Sequence, residues 1–247
     1  MTEPSEPDQQ HVLTYRYTFT FPNGIKRAFT IRLDNDTLQL IHPPSQTAPP
    51  EWAKLPYEKC PHCPLKDEEH PHCPAALSLV DVVDVFSESL SYEEAEVCIE
   101  TESRCYTKRT PLQTALSSLI GLYMVTSGCP ITGKLRPMVR HHLPFAKLDE
   151  TIYRVLSMYL LAQYFVARRG GKADWELKEL VTLYKDLVTL NRHFSKRLQQ
   201  TSSGEASLNA LVILDVFATS VSFSVSEHVL DELELLFQPY LSDQGNG

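Results

Sequence analysis

Residues 59–75 read Lys-Cys-Pro-His-Cys-Pro-Leu-Lys-Asp-Glu-Glu-His-Pro-His-Cys-Pro-Ala, and the rest of the chain divides around them. Three thiols and three imidazoles, those of Cys60, His62, Cys63, His70, His72 and Cys73, fall within fourteen residues. Each of these thiols is followed by proline, and so is the distant Cys129 in Thr-Ser-Gly-Cys-Pro. A Cys-x2-Cys pair, a third Cys-Pro and one remote Cys-Pro form the pattern of a four-ligand metal or cluster site. Proline suits such a loop because it fixes φ, removes a competing backbone donor and keeps a helix from running through the ligands. The stretch also divides two kinds of pattern, with period-two segments dominating before it and helical ones after it.

Upstream, residues 1–10 are rich in Glu, Pro, Ser and Gln and predict a disordered tail. From His11 the chain alternates, with Leu13, Tyr15, Tyr17, Phe19 and Phe21 on one face, so a half-buried strand is expected. Pro22-Asn23-Gly24 is a turn signal, and Ile25 to Leu33 alternates again to complete a hairpin. A short third strand is expected over Thr37 to Ile41, followed by an extended, proline-dense surface connector from His42 to Pro56.

Downstream, Ala75 to Leu90 carries helical spacing in Leu77, Val80, Val83 and Phe86. Glu93 to Glu102 and Arg104 to Arg109 predict a second hairpin turning at Ser103. Its Cys98 and Cys105 read as small half-buried hydrophobes outside the site. Helices are expected from Pro111 to Ser127, from Ile152 to Val166 behind an Asp149 cap, and beyond an Asp174 cap. Further helices are expected over Ser207 to Val221 and Glu227 to Phe237. The fold class is therefore α+β: a tail at 1–10, a strand-rich half at 11–110 holding the Cys/His loop, and a helical bundle at 111–242.

Composition bounds the function. The chain has 247 residues, 43% apolar and 22% charged, which suits an ordinary globular protein. A formal charge of −8 argues against nucleic acid or an anionic membrane as partner. No apolar leader precedes residue 11, and the longest apolar run, Leu208 to Ala218, is too short to span a bilayer. A cytoplasmic location with reduced thiols is the expectation, and a protein or small-molecule partner stays unspecified.

Four readings of the cysteines compete. Cys60, Cys63, Cys73 and Cys129 read as ligands of a structural zinc ion. The same four suit a 4Fe–4S cluster, whose ligands often carry a following proline. Cys60-Pro61-His62-Cys63 matches the active-site letters of DsbA-type thiol oxidases, but a proline-rich loop precedes it and Pro64 follows it, where that chemistry needs a strand and a helix. The fourth reading leaves the thiols unligated. His70 or His72 could stand in for one thiol, while His62 is expected to point outward or donate to a sulfur.

Two further features bear on a ligand. Arg136, Arg140 and His142 follow Cys129 closely and read as donors around the site. Asp215 lies on an otherwise apolar helix with Asn209, so its carboxylate needs a cation, and Arg136 and Arg140 are the expected partners in a cofactor or small-molecule pocket. Gln163 is a third polar residue in an apolar helix.

Cys-Pro-His-Cys-Pro-Leu, Thr-Ser-Gly-Cys-Pro, Leu-Arg-Pro-Met and His-Leu-Pro-Phe-Ala together make the chain similar to a bacterial family that is a domain of unknown function. The resemblance covers most of residues 12–220, including Leu-Asn-Ala-Leu-Val-Ile-Leu-Asp at 208–215. It implies a bacterial cytosolic protein and supplies no activity. Metal binding is the expected function. A thiol- or cluster-dependent oxidoreductase and a protein-interaction module are the alternatives. No phosphate loop, dinucleotide glycine motif or hydrolase motif is present.

Overall fold

Alternation of large apolar and polar residues builds the sheet. In the computed structural model, which describes residues 12–41, 48–200, 205–226 and 229–243, strand β1 (Val12–Thr20) pairs antiparallel with β2 (Lys26–Asp34) across the Gly24 turn. Gly24 takes φ +83°, a conformation that glycine adopts without Cβ strain. β3 (Glu94–Glu100) and β4 (Cys105–Pro111) form the second hairpin, and the four strands lie in the order β2-β1-β3-β4. Tyr17 faces Phe29 on one side and Ile99 on the other. Its row, with Tyr15, Phe19, Ile31, Leu33 and Val97, is buried, while charged residues such as Arg16 and Glu96 take the wet face.

The sheet packs on helices. α1 (Pro74–Leu77) and α2 (Val80–Val85) replace the single helix expected over 75–90. The Ser78 hydroxyl donates back to Ala75 O, an alternative to the helical ladder at the break between them. α3 (Leu112–Thr126) is apolar on nearly every face and is buried between the sheet and the later helices. Pro111 precedes it, and Gly128 at φ +95° follows it, as the sequence predicts.

A 3₁₀ segment, Thr132–His141, leads to α4 (Leu148–Arg168), α5 (Lys178–Gln199) and α6 (Glu205–Ser226). The chain closes with α7 (Val229–Glu234) and α8 (Gln238–Asp243). One continuous apolar core takes side chains from both the strand-rich and the helical parts. The structure is thus α+β, as the two periodicities require.

Several local expectations are corrected. Residues 37–41 form no strand. A single bridge joins Leu33 to Leu40, and the Leu40 N–H then donates to Thr126 O at the end of α3. The proline-rich connector is not all surface, since Trp52, Ala53 and Leu55 are buried. Asp149 lies in the first turn of α4 rather than at its cap, where the Lys147 N–H donates to the Glu150 carboxylate at 2.7 Å. Asp174 does serve the start of α5, accepting from the Glu179 N–H at 2.7 Å and the Tyr159 hydroxyl at 2.8 Å. Gln163 accepts the Asp174 N–H, which accounts for a polar residue inside an apolar helix. The expected tail at 1–10 lies outside the described residues.

α6 is long and apolar enough to cross a membrane by length and composition, over Glu205–Val225. It packs against α3 and α5 through Ala206, Ala210, Leu211, Ala218 and Val221. The apolar stretch is thus longer than the Leu208 to Ala218 run read from the sequence. Although a buried core helix passes the same test, only 28% of this one is buried, with Val212, Val216 and Phe223 exposed.

Cys98 and Cys105 differ from the expected pair of half-buried hydrophobes. Cys98 is half-buried, but Cys105 is exposed, and their sulfurs lie 3.0 Å apart on neighbouring strands. Oxidised glutathione should convert them to a disulfide: one thiolate forms a mixed disulfide, the second expels the glutathione, and two reduced glutathiones leave per bond made. Peptide mapping should find the Cys98–Cys105 link before any other, and a preferential Cys60–Cys63 link would contradict this.

Candidate metal centre

Backbone bonds fold the Cys/His loop onto the helices. Lys54 and His72 form a bridge, the Leu55 N–H donates to Pro71 O, and the Cys73 N–H donates to Ala53 O at 2.9 Å. Lys59 pairs with Asp67 at 2.7 Å across the loop. Within it, the Cys63 N–H donates to Cys60 O at 3.0 Å, so the pair sits in one tight turn. Cys73 precedes Pro74 at the start of α1, and Cys129 follows the glycine that ends α3.

These placements bring all four cysteines to one cavity. Cys60, Cys63, Cys73 and Cys129 line a space of about 20 Å³, closed by Leu55, Ile131, Leu190 and Phe194. That volume is on the scale of a single water molecule. Burial pushes the Cys60 thiol up to about 12, and the nearby Cys73, Cys129 and Cys63 raise it further. Burial likewise raises Cys73. Among the described residues, no three Cys, His, Asp or Glu side chains are drawn together in an arrangement that holds an ion. Neutral thiols have no electrostatic reason to converge further.

Arg197 of α5 is the residue that motif reading missed. It is 2% exposed, lines the cysteine cavity and donates to Trp52 O and, at 2.7 Å, to Lys54 O. Burial lowers its pKa, and Cys73 and Cys60 are the largest influences holding it up. Among the described residues it forms no ion pair with a carboxylate. The signal was present in the sequence, because Arg197 falls on the apolar stripe beside Phe194 and Leu198.

The histidines of the loop do not line the cavity. His70 is exposed and His72 is half-buried. His62, expected to point outward or donate to a sulfur, is half-buried, and its Nε2 is buried without a hydrogen-bond partner among the described residues.

The arginines and Asp215 do not come together. Arg136 donates to Thr37 O at 3.3 Å, and Arg140 holds Asn35 through its side-chain oxygen at 2.8 Å and its backbone carbonyl. Both pin the turn after β2 to the 3₁₀ segment. Asp215 is half-buried and faces Arg192 of α5 at 3.7 Å, because the face of α6 that carries it packs on α5. The expected Asp215 pairing with Arg136 or Arg140 is therefore replaced by an α5–α6 pair.

His142 belongs to a second, larger cavity. Its Nε2 lies 2.6 Å from the Tyr17 hydroxyl and 3.4 Å from Ser118 Oγ, and its ring stands edge-on to Tyr15 at 5.6 Å. Burial lowers its pKa to about 3, with Arg154 adding to the effect. A histidine held neutral this strongly is a poor base for Ser118.

No curated protein and no solved structure matches the chain. A family model described as a domain of unknown function (DUF6901) matches residues 13–238, nearly the whole chain. Strand, loop, bundle and both cavities all fall within that span, and the chain belongs to the DUF6901 family.

Proposed function

We propose that this is a metal-binding protein in which Cys60, Cys63, Cys73 and Cys129 hold one zinc ion that ties the loop to the helices. The observation that carries the reading is the shared cavity. Cysteines from a loop, the start of α1 and the end of α3 border one buried space beside Arg197. Four thiolates around a divalent ion leave a formal charge of −2, and the Arg197 guanidinium offsets part of it. An atom-sized cavity favours a single ion over a 4Fe–4S cluster. A thiol of pKa about 12 at Cys60 is the reverse of what an attacking thiolate needs, which weighs against the dithiol oxidoreductase.

Metal analysis of protein produced with zinc and iron supplied, and purified without oxygen, tests this. The expected result is a colourless protein with one zinc per chain, lost in Cys60→Ser and Cys73→Ser. A brown protein with visible sulfur-to-iron absorbance would replace zinc by a cluster. Substoichiometric metal, unchanged by the substitutions, would sink the metal reading altogether.

A further inference from the structure

The cavity beside His142 has about 270 Å³ of space, the share of about nine liquid waters. It lies among α3, the Thr132–His141 segment, α4, α5 and α6, and apolar side chains form most of its wall. Such a space, with few polar groups, suits a small molecule of mostly hydrocarbon surface.

The polar groups it does hold are specific. Tyr184 is 4% exposed and Asn191 is 6% exposed, and both line the cavity. Neither the Tyr184 hydroxyl nor the Asn191 side-chain amide is hydrogen-bonded to another described residue, and both residues border the cavity. Polar groups of mostly buried residues that face a cavity are free to pair with whatever fills it, so two on one wall mark where a ligand's acceptor or donor can sit. They are seven residues apart on α5, two turns along the same face, or roughly 10 Å. Leu187 lies between them.

Arg154 of α4 supplies the charge. It lines the same cavity and donates through Nη2 to Met138 O at 3.1 Å and His141 O at 3.0 Å. Those two bonds fix the guanidinium and leave its other donors unassigned. Among the described residues it forms no ion pair with a carboxylate. The Glu150 carboxylate, one turn back on α4, is near enough to favour the charged form of the guanidinium without pairing directly. A fixed, partly buried guanidinium with donors to spare beside apolar walls selects an anion, and its planar fork matches a carboxylate.

We propose that this cavity binds an amphipathic monocarboxylate, with the carboxylate on Arg154 and Tyr184 and the apolar body along Leu187, Leu214 and Val221. The Asn191 amide, two turns away, meets a hydrogen-bonding group near the far end. Burial keeps the Tyr184 hydroxyl protonated, so it donates to the anion. The site is separate from the cysteine cavity and does not depend on metal.

Titration calorimetry of the full chain with decanoate, 1-decanol and decylamine tests the proposal. Decanoate should bind at least tenfold more tightly than either of the other two. Tyr184→Phe keeps the packed ring and removes one donor to a charged acceptor, so it should weaken decanoate tenfold or more while leaving 1-decanol unchanged. Arg154→Gln should abolish the preference for the acid. Because Arg154 also holds two backbone carbonyls, its melting curve is needed alongside, and Tyr184→Phe remains the decisive variant. Equal affinity for decanoate and 1-decanol, no binding of decanoate at millimolar concentration, or unchanged affinity in Tyr184→Phe would each overturn the assignment.

Discussion

Cys129→Ser should lower the melting temperature of the zinc-loaded protein by about 10 °C, while Cys98→Ser should lower it by about 2 °C or less. The two cysteines differ in what each sulfur joins. Cys129 is buried after the end of α3 and lines the cavity that Cys60, Cys63 and Cys73 also line, so in the proposed tetrahedral site its loss removes one ligand and frees the loop. An ion bound only by the folded chain at a hundred to a thousand times its dissociation constant stabilises by roughly 3–4 kcal/mol. For a chain of this size each kcal/mol moves the transition by about 2–4 °C. Cys98 is half-buried and touches the exposed Cys105, so its replacement costs only packing. Scanning calorimetry of both variants, with zinc and after chelation, provides the check. After chelation the parent should fall to the level of Cys129→Ser. Equal losses for the two variants, or a parent indifferent to chelator, would detach Cys129 from any metal role.

What the sequence disclosed and what it withheld separate along a physical line. Local patterns carried well: Tyr15, Tyr17 and Phe19 alternate and are buried, Gly24 turns the first hairpin, and Pro111 and Gly128 bracket α3. The four Cys-Pro dipeptides were also legible as a group that meets at one cavity, because soft side chains placed where the backbone cannot continue a helix announce themselves by residue type. Choices among equal partners were not legible. Asp215 needed a cation, and the chain offered several. Helix packing decided for Arg192, and no local pattern encodes packing geometry. His142 looked like a neighbour of Cys129 because only twelve residues lie between them, yet the 3₁₀ segment carries it to the other cavity, against Tyr17. Arg154, Tyr184, Asn191 and Arg197 were hidden for another reason. Each occupies an apolar stripe where one polar residue reads as an irregularity, and only the space beside it shows what that irregularity serves.

Acid should destabilise this protein through His142 by about 2 kcal/mol between pH 7 and pH 4. The ring sits among Tyr15, Tyr17, Ser118 and Arg154, none of which offers a negative charge, and burial holds its pKa near 3. Burial raises the Tyr17 pKa, so that hydroxyl stays protonated and shares a 2.6 Å hydrogen bond with Nε2 of the neutral ring. In the unfolded chain the same imidazole titrates near 6.5. Above that pH both states are neutral and His142 contributes nothing to the pH dependence. As pH falls from 6.5 toward 3, the unfolded chain takes up a proton that the folded chain refuses, so stability is lost throughout that window. The full shift would allow more than 3 kcal/mol by pH 4 at 1.36 kcal/mol per unit. By exposed surface the ring is only half-buried and its edge lines the large cavity, so the full shift is discounted and the expectation is about 2 kcal/mol. His142→Gln keeps a polar partner for Tyr17 and does not titrate, whereas carboxylates elsewhere are common to both proteins and cancel in the comparison. Urea unfolding at pH 7 and pH 4 should therefore show the parent losing about 2 kcal/mol more than the variant. Parallel losses in the two proteins would mean that His142 accepts its proton in the folded state, and would place a counter-charge or open water where the structure has two tyrosines and an arginine.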